Sequence, residues 1–330
     1  MTNFKKYLRS HLKTNLKPII YIISTVMFLT FMFAITSEKT YLFDRERFRS
    51  TLAVPVMFMS ILSYVLPVME FSFFKKRINL DCAYSMPISR RTMGAAHYLT
   101  GLITLFGAFS ASYLLNFIIM LSRGENYFNL KPLIPHYFLC LFLGFAMYSV
   151  MVFVFNEANT MGDGIWFMVL YSFVFVFVFS ALAEMIDGMP TLYLSSAMPF
   201  GAISELTAQY QSVVENFQQR VIFWNKLRYY AGFIFWSILG IASAVGFFLT
   251  FGKRRTEKTE EISDSWFGYR TLIPIYAITG MISFHDIDIS IFWVIIELLA
   301  FLGYTIYRRG FHYKKSDLII LGILPLFLFV

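Results

Sequence analysis

Apolar stretches long enough to cross a membrane as helices dominate this sequence. Six of them occupy residues 18–36, 50–70, 93–121, 134–156, 165–187 and 229–251. A spanning helix requires about 20 predominantly apolar residues, because lipid cannot hydrogen-bond an exposed backbone. Of all residues, 58% are hydrophobic and only 15% are charged, whereas soluble domains carry roughly 25% charged residues. The sequence therefore predicts an all-α integral membrane protein and excludes a water-soluble core.

The C-terminal part of the chain continues the hydrophobic pattern in shorter segments. A charged stretch at 253–270 is followed by apolar segments at 271–284, 289–307 and 318–330. We therefore predict two units, a six-span domain over 1–251 and a C-terminal membrane extension of about three helical segments over 252–330. Because the sequence stops at Val330 inside an apolar run, we expect it to be truncated there.

The distribution of positive charge predicts the orientation. Lys and Arg are retained on the cytoplasmic side of a membrane during insertion. With a cytoplasmic N-terminus, nineteen of the 28 Lys and Arg residues fall in segments on the inner side. These segments are 1–17, 71–92, 157–164, 252–270 and 308–317. The prediction is a multi-pass protein of the cell membrane with its N-terminus inside.

The same charge pattern argues against nucleic-acid binding, and catalytic motifs are not evident. The net charge of +8 lies in short clusters between apolar runs, as expected for membrane anchors. The stretch 246–254 has five residues between its glycines and lacks Ser or Thr after Lys253, so it is no phosphate-binding loop. The five histidines show no metal-ligand spacing. We predict no catalytic, cofactor or metal residues, and any ATP must be hydrolysed by a separate subunit.

Acidic residues within or beside the spans are functional candidates, because an ionisable group is costly in lipid. They are Glu70, Glu157, Glu184, Asp187 and Glu297. Glu297 alone lies well inside a predicted span, and we expect it to face other helices in a protonated or paired state. An ion-coupled carrier would normally show more such residues.

Residues 203–227 have the pattern of an amphipathic helix on the predicted outer side. Apolar residues recur every three or four positions, with glutamines on the other face. We predict that Tyr210, Phe217 and Trp224 face lipid or the helix bundle and that Gln211 and Gln218 face water. The helix either lies in the headgroup region or forms a lid over a translocation path.

The segment between the second and third spans contains residues typical of the start of a helix. Ser89 is placed to accept hydrogen bonds from the first backbone N–H groups of a helix that begins near Arg90. Arg90 and Arg91 then lie in the first turn, where the helix dipole disfavours cations. Their role therefore lies outside the helix, either as anchors to lipid phosphates or as contacts with an acidic partner surface.

The stretch MPISRRTMGAAHYL at 86–99 resembles the corresponding link of ABC transporter permeases of the type-2 exporter class. The six-span layout and the non-spanning segment before the sixth span resemble that class as well, over about three quarters of the chain. The C-terminal extension resembles that of a bacterial subgroup.

The resemblance implies a six-helix bundle and a short coupling helix that docks into a groove of a separate ABC ATPase subunit. The residues that it places in the coupling segment are Asn79, Leu80, Asp81, Cys82, Ala83, Tyr84 and Ser85. Arg90 and Arg91 would support that contact. Further implied partners are a second permease copy or a paralogue, together with membrane lipid.

Three functions are therefore in contention. The first is ATP-driven export of a lipid-like or peptide substrate. The second is ion-coupled secondary transport, and the third is a membrane sensor that binds an antimicrobial compound without transporting it. The sequence of the spans shows no group of polar residues that would indicate a particular substrate.

Overall fold

The protein is described here from a computed structural model that covers residues 2–36, 44–85, 87–122, 133–185, 197–215, 223–253, 259–283 and 290–323. The described part is helical and contains no β-strand. The helices in chain order are α1 (Thr2–Thr14), α2 (Leu16–Thr36), α3 (Asp44–Phe71), α4 (Arg77–Tyr84), α5 (Arg90–Ser122), α6 (Leu133–Glu157), α7 (Met161–Met185), α8 (Pro199–Glu215), α9 (Phe223–Thr250), α10 (Tyr269–Ser283), α11 (Ser290–Arg308) and α12 (Lys315–Ile323). Short 3₁₀ turns at Ser72–Lys75 and Phe251–Lys253 extend α3 and α9.

Six helices of the described part are long and apolar enough to cross a membrane, as the sequence predicted. They are α2, α3, α5, α6, α7 and α9. Large apolar side chains such as Phe28, Ile118, Phe138 and Ile238 are exposed along them. An exposed apolar surface of this extent is favourable in lipid and unfavourable in water. These helices therefore form a multi-pass membrane bundle.

The fourth span, α6, is the centre of the bundle. In the most apolar 18-residue stretch of α6, 67% of the residues are buried, whereas only 17% are buried in the corresponding stretch of α2. α6 packs against α9, α3 and α7, and its Tyr148 is fully buried, as is Trp236 of α9. Gly240 allows the two backbones to meet, since a Cβ at that position would lie 2.4 Å from Cα of Ala146. Small residues at such crossings are typical of membrane helix pairs.

The structure describes two helices in the region where the sequence predicted one amphipathic helix over 203–227. The structure ends α8 at Glu215 and begins a new helix at Phe223. Trp224 therefore lies in the first turn of α9, the helix that becomes the sixth span, and Tyr210 lies on α8. Phe217 and Gln218 are outside the described residues. The 3.6-residue period runs through the sequence of both helices, so periodicity alone could not distinguish them.

α8 is attached to the bundle through its N-terminal half. Its Ile203 and Leu206 are buried in the main core, and the hydroxyl of Thr207 lies 3.3 Å from Nε2 of His136 on α6. α8 also contacts α3 and α9. This half of the helix is thus a packed element of the bundle.

The C-terminal extension packs on the fifth span. α10 lies along α7, where the hydroxyl of Tyr276 donates to the Leu170 carbonyl and that of Ser283 donates to the Phe177 carbonyl at 3.4 Å. α11 packs on α10, and α12 packs on α11. Glu297 lies on α11 and is partly buried.

An ion pair fixes the turn between α11 and α12. Nε and Nη2 of Arg308 donate to the two carboxylate oxygens of Asp317 at 2.8 and 3.1 Å. The same carboxylate accepts from the backbone N–H of Lys314 at 3.1 Å, which closes the first turn of α12. Burial alone would raise the pKa of Asp317, but the hydrogen bonds from Arg308 and Lys314 outweigh it and hold the pKa below its usual value of 3.8.

We expect Arg308→Ala to loosen α12. Breaking a partly buried ion pair should cost about 2 kcal/mol, between the values for exposed and fully buried pairs, so amide hydrogen exchange in α12 should accelerate about 30-fold. Because the pKa is lowered in the folded state, this stability is present above the ordinary aspartate pKa and is lost as the pH falls below it. Lys315→Ala, which removes an exposed cation nearby, is the control. Equal exchange rates in both variants would contradict the role of the ion pair.

Candidate functional site

The short helix α4 lies between the second and third spans, in the segment predicted to contact an ATPase. It begins two residues before the predicted Asn79 and ends one residue before Ser85. Leu80 is 1% exposed and anchors the helix, whereas Ile78 is 85% exposed. Asp81 is exposed as well, and Asn79 is partly buried. α4 therefore presents an unusually exposed apolar side chain at this end of the bundle, which we call the α4 end.

The predicted start of the third span is confirmed. α5 begins at Arg90, and the Thr92 backbone N–H donates to Oγ of Ser89 at 3.2 Å. Arg90 and Arg91 lie in the first turn and are exposed. The aliphatic part of Arg91 covers Gly252 at the end of the sixth span, where an added Cβ would lie 2.9 Å from Cγ of Arg91.

Lys75, two residues before the start of α4, is buried and serves as a cap for α6. It is 3% exposed, and its Nζ donates to the Phe155 carbonyl at 2.6 Å, to the Asn156 carbonyl at 3.4 Å and to the Ala158 carbonyl. A cation at a helix C-terminus is favoured by the helix dipole and satisfies the last carbonyls. Lys75 thus connects the end of the second span to the turn between the fourth and fifth spans.

The segment 259–268 of the C-terminal unit covers this same turn. Ser263 donates to the Glu157 carbonyl at 2.9 Å, and Ser265 donates to Oε2 of Glu157 at 2.6 Å. Glu260 has a positive φ of 72°, and its Oε1 accepts from the Arg77 N–H at 3.2 Å. Glu260 therefore places a carboxylate at the N-terminus of α4, where the helix dipole favours an anion.

A second group of polar residues lies at the α4 end, inside the helix bundle. Nε2 of His11 on α1 and Nδ1 of His97 on α5 each lie 3.2 Å from the same oxygen, Oε2 of Glu70 on α3. The two imidazole centroids are 4.0 Å apart. Three helices thus contribute one side chain each to what we call the His–Glu–His cluster.

Two further polar side chains contact the histidines of the cluster. The Tyr7 hydroxyl lies 3.5 Å from Nε2 of His97. Nδ2 of Asn15 lies 3.3 Å from Nδ1 and 3.0 Å from Nε2 of His11. Burial raises the pKa of Tyr7, and the negative charge of Glu70 raises it further, so the phenol stays protonated.

The cluster lines a cavity of about 330 Å³ between α1, α2, α3 and α5. Its apolar walls include Leu66, Phe74 and Met93, and the Phe74 ring meets the His97 ring edge to face at 4.9 Å. A cavity of this size with several polar groups can hold water or a small ion.

The sequence marked Glu70 as costly in lipid but gave no signal for its partners. His11 and His97 are 59 and 27 residues from Glu70 along the chain, so they share no helix and no motif spacing. The sequence did contain one indication of the cluster. Two of its five histidines, His11 and His97, lie near the predicted inner ends of spans. Of the other acids singled out, Glu184 is exposed and Asp187 is outside the described residues.

The chain was compared with models of protein families, with curated proteins and with solved structures. None of them matches. The two arrangements at the α4 end, the exposed helix and the buried cluster, are therefore interpreted from their own chemistry.

Proposed function

We propose that the chain is the membrane-spanning permease subunit of an ATP-driven exporter of the ABC type-2 class, which a separate ATPase subunit powers. The observation that carries the proposal is α4 itself. A short helix joins the second and third spans, is held by buried Leu80 and exposes Ile78; exposed arginines precede and follow Ile78 in the sequence, at Arg77 and at Arg90 and Arg91. An exposed apolar residue flanked by cations is suited to a groove with an acidic rim.

The connections of α4 support a role in transmitting motion. Lys75 connects its N-terminal side to the turn between the fourth and fifth spans, and Arg91 connects its C-terminal side to the end of the sixth span. A rigid shift of α4 would therefore displace several spans together. Such a displacement is what alternating access requires from a coupling element.

We place the α4 end in the cytoplasm of the cell that makes the protein, because the inner segments carry most of the Lys and Arg residues. ATP is available on that side only. A second permease copy or a paralogue would complete the translocation path, and this chain itself is non-catalytic. The exposed apolar and aromatic surface of the spans favours a lipid-like or peptide substrate.

The double variant Arg90→Glu with Arg91→Glu tests the proposal. If the arginines contact an acidic ATPase surface, the reversed charges should weaken docking by more than about tenfold, because like charges at an interface cost several kcal/mol. Loss of lipid anchoring would cost only about 1 kcal/mol per residue. The measurement is the ATPase activity that co-purifies with the chain from native membranes at matched expression.

The matched control is Lys314→Glu with Lys315→Glu, which reverses two exposed cations of the C-terminal unit. Ile78→Ser is a second test, because an 85% exposed side chain contributes little to folding and its loss should affect docking alone. Wild-type recovery of ATPase activity with Arg90→Glu/Arg91→Glu and with Ile78→Ser would refute the coupling role of α4.

A further inference from the structure

The His–Glu–His cluster has the composition and spacing of a transition-metal site, and we propose that it binds a divalent first-row cation, with Zn²⁺ as the best geometric fit. Two imidazoles and one carboxylate form a common protein ligand set for zinc. One ligand atom from each of His11, Glu70 and His97 can be chosen so that all three lie within 4.8 Å of one another. This inference is independent of the proposed exporter function.

The distances agree with tetrahedral coordination. With zinc–ligand bonds of about 2.0–2.1 Å, neighbouring ligand atoms in a tetrahedron are about 3.3 Å apart. The two distances from Oε2 of Glu70 to the histidine nitrogens are both 3.2 Å. The remaining separation, between one nitrogen of each histidine, is within 4.8 Å, and rotation of the His11 ring can bring it to the tetrahedral value.

The contacts of the ring nitrogens that would not bind the cation also fit metal ligation. When Nδ1 of His97 binds a cation, its proton moves to Nε2, which faces the Tyr7 oxygen at 3.5 Å. Nδ1 of His11 lies 3.3 Å from Nδ2 of Asn15, which is also 3.0 Å from Nε2; the amide can turn its oxygen toward an N–H at Nδ1. Partners of this kind fix the tautomer and orientation of metal-binding histidines.

The adjoining cavity supplies the remaining coordination position. Three protein ligands with one open position are characteristic of zinc sites that bind water or an exogenous ligand. The 330 Å³ cavity beside the cluster has room for such a ligand. A cation here would also join α1 to α3 and α5 and would hold the N-terminal helix against the bundle.

Cobalt substitution tests the proposal directly. The full chain, purified in detergent with a tag that lacks histidine and treated with a chelator, is titrated with Co²⁺ and then with Zn²⁺. We expect one Co²⁺ per chain with the visible spectrum of a tetrahedral nitrogen and oxygen site, which Zn²⁺ abolishes by displacement. A wild-type chain that gives no such spectrum and takes up no Zn²⁺ at saturation would overturn the proposal.

Variants separate ligation from a purely structural hydrogen-bond network. Glu70→Gln and His97→Asn should each weaken Co²⁺ binding by more than about 100-fold, since loss of an outer partner alone costs about 10–100-fold. Tyr7→Phe should weaken it by that smaller factor. His312→Asn, which changes an exposed histidine, should leave binding unchanged. Equal binding by wild type, Glu70→Gln and His97→Asn would assign the cation to another place and refute the site.

A second measurement remains informative if a variant folds poorly. α1 contains exposed trypsin sites at Lys5, Lys6 and Arg9, and cleavage there requires the helix to leave the bundle. Zn²⁺ should slow this cleavage in the wild-type chain, and a chelator should restore the original rate. Cleavage of α1 at the same rate with and without Zn²⁺ would contradict a cation that joins α1 to α3 and α5.

Discussion

Lys75→Met should destabilise the protein by about 3–5 kcal/mol. The Nζ of Lys75 donates to three carbonyls around the C-terminus of α6, and each buried acceptor that loses its donor costs about 1–3 kcal/mol. Methionine keeps the apolar length of the side chain, so the loss measures the ammonium group. The side chain also lies over the Phe155 ring, with Nζ 4.8 Å from the centroid, and that cation–π contact would disappear too.

The adjacent residue provides the control for this effect. Lys76 is exposed, so Lys76→Met removes the same charge from the same segment without removing a buried cap. The midpoints of unfolding in detergent, followed by tryptophan fluorescence, should fall strongly for Lys75→Met and little for Lys76→Met. Similar midpoints for the two variants would show that Lys75 acts only as a surface cation.

Gly240→Ala should destabilise the protein by about 3 kcal/mol. A Cβ at Gly240 would lie 2.4 Å from Cα and 2.5 Å from Cβ of Ala146, whereas non-bonded carbons pack at about 3.5–4.0 Å. The obstacle is backbone, so no side-chain rotation can relieve the contact. α6 and α9, which pack against each other, would therefore have to separate at this crossing.

Gly162→Ala, by contrast, is not expected to lower the stability of the protein. Gly162 lies in the first turn of α7, and no heavy atom lies within 4 Å of its added Cβ. Alanine is a better helix former than glycine by about 1 kcal/mol, so this variant should unfold at the same or a higher midpoint. A comparable loss in both variants would mean that the α6–α9 contact is not the cause of the effect at Gly240.

The sequence predicted those parts of the fold that depend on local chemistry. Apolar stretches of about 20 residues predicted all six spans, because the length of a spanning helix is fixed by the thickness of the hydrocarbon layer. The start of α5 was predicted near Arg90, where the helix begins, since a Ser89 side chain can cap only the helix that follows it directly. The coupling role of α4, by contrast, came from a resemblance and stays a prediction.

Features that depend on partners distant in sequence were missed. Lys75 was counted only among the basic residues of the inner segment 71–92, because its acceptors lie 80 or more residues away. The His–Glu–His cluster was missed for the same reason, since each helix supplies only one of its members. The sequence treated α8 and the start of α9 as one helix, because both carry apolar residues at a helical period.

The burial of Lys75 also constrains the order in which the chain assembles during synthesis. Lys75 leaves the ribosome 80 residues before Phe155, the first of its three acceptors. Until the fourth span has been inserted, its ammonium group must remain hydrated at the membrane surface, where it helps to retain the loop on one side. The end of the second span can therefore adopt its final position only after two further spans have entered the membrane. An insertion intermediate with two or three spans would expose this lysine to water, and its protection from a lysine-modifying reagent would mark the arrival of the fourth.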